Sequence, residues 1–253
     1  MKKPNLKILL LFIFILLSAA KADVKSAIQK GNELYKNNQY QLAIDEYNKL
    51  IKLGYEGTSL YYNLGNAHYR LGKVGYAILY YEKALKLSPG DEDVKHNLSL
   101  VKLNLKDKVD TLPPFFIFNI WESMLAAFSL NEWTIFAYLI FILLLLCVVA
   151  YFFSKSSTQQ RVSFFSGVAV SGLLVLVIIL LTVKMNKEFN IKDGIIVATV
   201  VTVKSSPDNS SKDEFIIHEG LKVRLEDNID NWTKIRLADG KVGWIFEENI
   251  GKI

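Results

Sequence analysis

The side chains able to do chemistry in this chain are few and far apart. Its three histidines, His68, His96 and His218, are at least 28 positions from one another, and its single cysteine, Cys147, falls inside an apolar run. A catalytic or metal-binding constellation needs ligands whose spacing brings them to one face. No HExxH, nucleophile elbow, phosphate loop or dinucleotide fingerprint occurs. His218 has no neighbouring His or Cys and reads as a turn residue rather than a metal ligand. Asp91, Glu92 and Asp93 cluster at a helix start, where they complement the helix dipole. The other carboxylates sit at spacings suited to pairing with lysine. The expectation is a protein that is not an enzyme and holds no cofactor or metal. What remains is contact chemistry, carried by Asn and Tyr in one half and Trp in the other.

Charge narrows the partners. Of the net +5, residues 23–110 carry thirteen Lys/Arg against eleven Asp/Glu, and residues 190–253 carry nine against eleven. The surplus therefore lies with eight cations around the apolar segments, against three acids there. No basic patch faces a nucleic acid, so nucleic-acid binding is not expected.

The elements that must position the Asn and Tyr residues repeat. AIQKGNELYKNNQYQLAIDEYNKLIKL aligns with YYNLGNAHYRLGKVGYAILYYEKALKL at an offset of 34 residues. Gly31 matches Gly65, Asn32 matches Asn66, Tyr35 matches Tyr69, Ala43 matches Ala77 and Tyr47 matches Tyr81. The second unit closes at Ser88-Pro89-Gly90; the first lacks that proline and has Leu53-Gly54-Tyr55. The glycines and alanines are small where helices must approach. After Pro89, Val94, Leu98, Val101 and Leu105 form the apolar stripe of one more helix, a half repeat or a cap. The pattern resembles the tetratricopeptide repeat, a helix–turn–helix unit whose arrays hold extended peptides along a concave face. The resemblance implies a partner-binding groove lined by Asn32, Tyr35, Tyr62, Asn63, Asn66, Tyr69 and His96, with Ile28 and Asn97 beside them. Ile28 and Asp93 stand where a carboxylate clamp would carry lysines, so no such clamp is expected. The same Tyr and Asn residues could instead cover the surface between repeats.

Two runs without a charge, Trp133–Phe153 and Ser163–Val183, are each 21 residues long. At about 1.5 Å per residue each can cross about 30 Å of hydrocarbon. The nine residues 154–162 between them force a hairpin, so both flanks share one side. Residues 1–22 have the basic start, apolar run and small-residue end of a signal peptide, or act as an uncleaved anchor. Lys155 and Arg161 make 154–162 an inside loop. Residues 23–110 and 190–253 are then both exported. Residues 111–132 follow Pro113-Pro114 and read as an amphipathic segment in the interface, with Trp121 at headgroup level, or as a helix packed in a soluble groove. Ser129 and Glu132 have capping-box spacing, and Trp133 would anchor the outer end of the first span. Ser163, Gly167 and Ser171 permit close helix packing in the second span.

From residue 190 the period falls to two. IIVATVVTVKSSP, FIIHEGLKVRLED and WTKIRLADGKVGWIF are β-branched runs, with Asp239-Gly240 as a hairpin turn. Five short strands fit a small all-β barrel. The runs resemble the bacterial SH3-like domain, some members of which bind peptidoglycan. Trp232 and Trp244 are the candidate ligand surface there, or are core volume.

The full order is an α-helical repeat solenoid, an interfacial segment, a transmembrane helical hairpin and an all-β SH3-like barrel. It resembles the BatE-type aerotolerance proteins of Gram-negative bacteria. The stretches that carry the likeness are YYNLGNAHYRLGKVGYAILYYEKALKLSPGDEDVKHNL, SLNEW and VTVKSSP…HEG…W…GW. That resemblance implies an inner-membrane, two-span scaffold with both soluble parts periplasmic. Its partners would be envelope proteins, among them von Willebrand A-type membrane proteins, in aerotolerance or envelope stress. The alternative is a cell-wall-binding module acting through the barrel on peptidoglycan.

Overall fold

The computed structural model describes residues 24–107, 116–190 and 192–253. The segment 1–22 and the Pro113-Pro114 break lie outside these. Helix α1 runs over 24–36. It is followed by α2 (Tyr40–Lys52), α3 (Thr58–Arg70), α4 (Val74–Leu87) and α5 (Glu92–Lys102).

Each of the first three helix ends is closed in the same way. Gly54 (φ 77°) and Gly72 (φ 72°) turn the chain in the left-handed region, and Asn38 (φ 60°) does so between α1 and α2. The next N–H reaches back over the turn, Tyr55 to Leu50 O at 3.0 Å and Lys73 to His68 O at 3.0 Å. These are Schellman ends, which satisfy carbonyls a helix would otherwise leave open. Gly54 thus does for the first repeat what Pro89 does for the second. Asp91 caps α5, accepting from the Val94 N–H at 3.1 Å.

Packing between the helices of a repeat rests on a glycine against a tyrosine. A Cβ on Gly31 would lie 2.3 Å from the Tyr47 ring, and one on Gly65 would lie 2.6 Å from the Tyr81 ring. Both tyrosines are buried, with Leu60, Leu64, Ile78, Val94 and Val101, in one helical core. Leu105 lies beyond the end of α5 and is only half-buried.

Helix α6 (Phe116–Ala126) leads to α7 (Leu130–Phe153) and α8 (Ser157–Asn190). The capping box at the start of α7 is formed: the Ser129 N–H donates to Glu132 at 2.7 Å and the Glu132 N–H to Ser129 Oγ at 3.3 Å. The link between α7 and α8 is only Ser154–Ser156, because helical structure resumes at Ser157 and continues well past Val183. Both helices are long and apolar enough to cross a membrane. Along them most large apolar side chains are exposed, a surface that water does not tolerate in quantity. Trp133 is not free at the start of α7; it is buried with Leu125, Val177 and Leu180 where α6, α7 and α8 meet.

The C-terminal part is an open antiparallel sheet of seven strands, not a closed barrel of five. The strands are β1 (Lys192–Ile196), β2 (Val200–Lys204), β3 (Asp213–His218), β4 (Lys222–Ile229), β5 (Trp232–Arg236), β6 (Val242–Phe246) and β7 (Ile250–Lys252). Their order is β3-β2-β6-β5-β4-β1-β7, so β3 and β7 are edges. Each of the three long β-branched runs contains a break, at 197–199, 219–221 and 237–241, and so yields two strands. The short β7 is the seventh. Gly240 (φ 91°) makes the turn that pairs Arg236 with Val242.

Candidate partner-binding groove

Four asparagines and three tyrosines form a ladder between repeats. Asn32 Oδ1 accepts from the Tyr47 hydroxyl at 2.7 Å and from Asn63 Nδ2 at 2.9 Å. Thirty-four positions on, Asn66 Oδ1 accepts from the Tyr81 hydroxyl at 2.6 Å and from Asn97 Nδ2 at 3.0 Å. Asn97 Nδ2 also donates to the Tyr62 hydroxyl at 3.1 Å. Each rung gives a buried tyrosine hydroxyl the partner it requires, and links one repeat to the next. Burial pushes the Tyr47 phenol up to about 12, so it stays protonated and donating.

This ladder divides the expected groove residues. The oxygens of Asn32 and Asn66 are filled by two donors each, so their amide groups are what they can offer a ligand. Tyr35 packs edge-on against Tyr40 at 5.2 Å and accepts from Arg70 at 3.4 Å. Tyr69 and His96 are exposed, on α3 and α5. Tyr62 and Asn63, both part of the ladder, are half-buried. The exposed contact chemistry of this face is therefore aromatic and imidazole, with asparagine amides beneath.

The three histidines are not brought together. His68 is buried, stacked on Tyr76 at 5.0 Å and on Tyr80 at 5.3 Å. Burial, with a smaller contribution from Lys73, lowers its pKa to about 4. His218 ends strand β3 rather than lying in a turn, and contacts Asp107: its ring Nδ1 is 2.9 Å from one carboxylate oxygen and its N–H donates to the other at 2.6 Å.

That contact lies at the edge of an interface not expected from the sequence, in which the sheet is docked on α4 and on the segment after α5. Helix α4 has no cap from its own preceding residue. Glu219 supplies one from the sheet, accepting from the Gly75 N–H at 2.9 Å and placing a negative charge at the positive helix end. A Cβ on Gly75 would lie 2.6 Å from the Ile196 carbonyl, and one on Gly251 would lie 2.3 Å from Leu79. Ile195 of β1 is fully buried in the helical core. At the rim, Glu82 pairs with Lys102 at 2.7 Å and with Lys222 at 3.2 Å. Burial raises the Glu82 pKa, but Lys222 and Lys102 outweigh it and hold the carboxyl below its usual range. The signal for this interface is in the repeat itself. Where the first unit has Gln41 and Asp45, the second has Gly75 and Leu79, a small and an apolar residue on an outer face.

Trp232 and Trp244 are each only 9% exposed. Trp232 stacks on Phe246 at 4.1 Å. Most of their area is committed to the sheet's own packing.

Comparison with known proteins bears on the helical part. Residues 28–92 match the family model of the tetratricopeptide repeat. A stretch of 79 residues is 29% identical to sperm-associated antigen 1 of Mus musculus, covering 31% of this chain. The chain spans only 9% of that protein's length. The glycine–tyrosine packing, the 34-residue period and the family match agree on tetratricopeptide repeats over 28–92.

Proposed function

We propose that the protein is a membrane-anchored adaptor. It holds envelope proteins against the face of α1, α3 and α5, with the docked sheet bracing the repeats from the other side. The observation that carries this reading is the division of the repeat surface. The outer face of α4 is taken by β1 and β7, while Tyr69 and His96 stay exposed on the face that in such arrays receives peptides. Helices α7 and α8 anchor it in the inner membrane, both soluble parts stand in the periplasm, and α6 lies in the interface. By resemblance to the BatE-type proteins, the sheet is an SH3-like domain. The partners would include von Willebrand A-type membrane proteins, and the process is aerotolerance or envelope stress.

The test is site-specific photocrosslinking in cells, with the reactive residue at Tyr69, at His96, or at Lys241 in the β5–β6 turn. The expected result is one shared protein adduct from the first two positions and none from the third. Adducts from Lys241 alone, with the purified protein sedimenting on cell wall, would replace the adaptor by a peptidoglycan-binding module.

A further inference from the structure

We infer that the cleft where repeats, hairpin and sheet converge binds the phosphate of an anionic lipid headgroup. This rests on the membrane reading of α7 and α8. The cleft has a volume of about 500 Å³ and is walled by the end of α4, by α6, by the end of α8 and by the sheet.

Among the described residues its lining carries more cations than carboxylates, with Lys86 also donating to the Ile253 carbonyl at 3.3 Å and Lys184 to that of Leu125 at 3.1 Å. Five cations line it, Lys86, Lys184, Lys187, Lys222 and Arg224, against the carboxylates of Glu82, Glu122 and Asp193. All three acids are already engaged: Glu82 by Lys102 and Lys222, Asp193 by Lys222 at 3.4 Å, and Glu122 by Lys187. Arg224 is exposed and lies within 4.0 Å of no carboxylate among the described residues. Glu226, two residues along its strand, is instead held by Arg236 and Lys234. An exposed guanidinium beside ammonium groups favours a tetrahedral dianion or monoanion, which it can hold with two parallel hydrogen bonds.

Position selects a lipid over a free anion. Lys184 and Lys187 follow directly on the apolar run that ends at Val183, at the depth where headgroup phosphates lie. The α6 wall is apolar at Leu125 and Ala126. Beyond the cleft α6 exposes Phe116 and Ile117, 74% and 58% accessible. A soluble phosphate would use the cations and leave this apolar rim idle. A lipid uses both, with its phosphate in the cleft and an acyl chain along α6.

The experiment is native mass spectrometry of the full chain, extracted from bilayers of phosphatidylcholine with a minority of phosphatidylglycerol. Wild type should retain phosphatidylglycerol. The double variant Lys86→Gln/Arg224→Gln alters two exposed side chains and should lose retention by at least about fivefold, the factor one cation contributes at an anionic surface. Lys155→Gln/Arg161→Gln, at the other end of the hairpin, should retain as wild type does. Equal loss in both double variants would reduce the effect to general surface attraction and overturn the site, as would no loss in either. Displacement of the lipid by glycerol 3-phosphate would make the cleft a soluble-phosphate site and overturn the lipid assignment. Alkaline carbonate extraction separates the two readings. Release of the chain from membranes defeats the anchor, whereas a pelleted chain with unchanged retention defeats only the cleft.

Discussion

Asn66 and Tyr81 show how a polar pair can specify a stack of apolar helices. The tyrosine fills the space Gly65 leaves, and its buried hydroxyl is then obliged to find Asn66, whose other lone pair receives Asn97 of α5. Asn66→Leu should cost about 1–3 kcal/mol, the usual penalty for an orphaned buried hydroxyl. Adding Tyr81→Phe should restore most of it, because removing both partners is far cheaper than removing one. Urea unfolding of the detergent-solubilised chain, followed by circular dichroism, gives both numbers; strictly additive losses would show that the pair is not coupled. The sequence exposed the asparagines but not this duty, since a contact across 15 residues depends on how the tyrosine turns inward. His68 offers a second test at the same scale. Its folded pKa of about 4 lies below the unfolded value of about 6.5, so the neutral ring stabilises the fold fully above pH 6.5. That contribution, of order 3 kcal/mol, is lost as pH falls toward 4. His68→Phe keeps the stacking on Tyr76 and Tyr80 and should flatten the stability profile between pH 7 and 4; an unchanged acid slope would place its origin elsewhere.

Among the described elements, α4 serves both the repeats and the sheet. One side carries the repeat core through Ala77 and Tyr81, and the other carries the sheet through Gly75 and Leu79. Gly75→Gln copies the residue at the matching place in the first repeat. It should push β1 off α4, because even a Cβ there meets the Ile196 carbonyl at 2.6 Å. Glu219→Ala should weaken the same contact more gently, by about 0.5–2 kcal/mol, as the loss of a helix cap does. Hydrogen exchange should quicken at the start of α4 and around 218–221 in both variants, while α3 and α5 keep their protection; uniform change along the chain would mean general destabilisation instead. What was legible in the sequence follows a physical divide. Helices α2–α5, the Ser129–Glu132 capping box and the Asp239-Gly240 turn are set within a few residues and could be read directly. The number of strands was missed because runs such as FIIHEGLKVRLED bend at Gly220 without losing their apolar pattern. The docking was missed because it joins surfaces 144 residues apart, as from Gly75 to Glu219, and shows only as a departure of the second repeat from the first.

At the scale of the whole molecule, the hairpin and the docked sheet constrain each other. Helix α8 ends at Asn190 and β1 begins at Lys192, so one residue separates the helix from the strand whose Ile195 lies in the repeat core. The repeats enter the hairpin through α6, and Lys187 near the end of α8 pairs with Glu122 of α6. Repeats and sheet must therefore lie at the same end of the α7–α8 pair, whichever side of a bilayer that end occupies. Cysteine labelling in intact spheroplasts tests both statements in a Cys147→Ala background. Lys52→Cys on α2 and Lys241→Cys on the β5–β6 turn are exposed sites in the two soluble parts, and Ser156→Cys is an exposed site in the link. A membrane-impermeant maleimide should modify the first two and spare the third until the membrane is permeabilised. Labelling of Ser156→Cys alone would keep the hairpin but invert it, putting the repeats in the cytoplasm and removing the periplasmic partners from the proposal. Labelling of only one of Lys52→Cys and Lys241→Cys would break the hairpin itself, and with it the docking on α4, since surfaces on opposite sides of a bilayer cannot share Ile195 and Gly75.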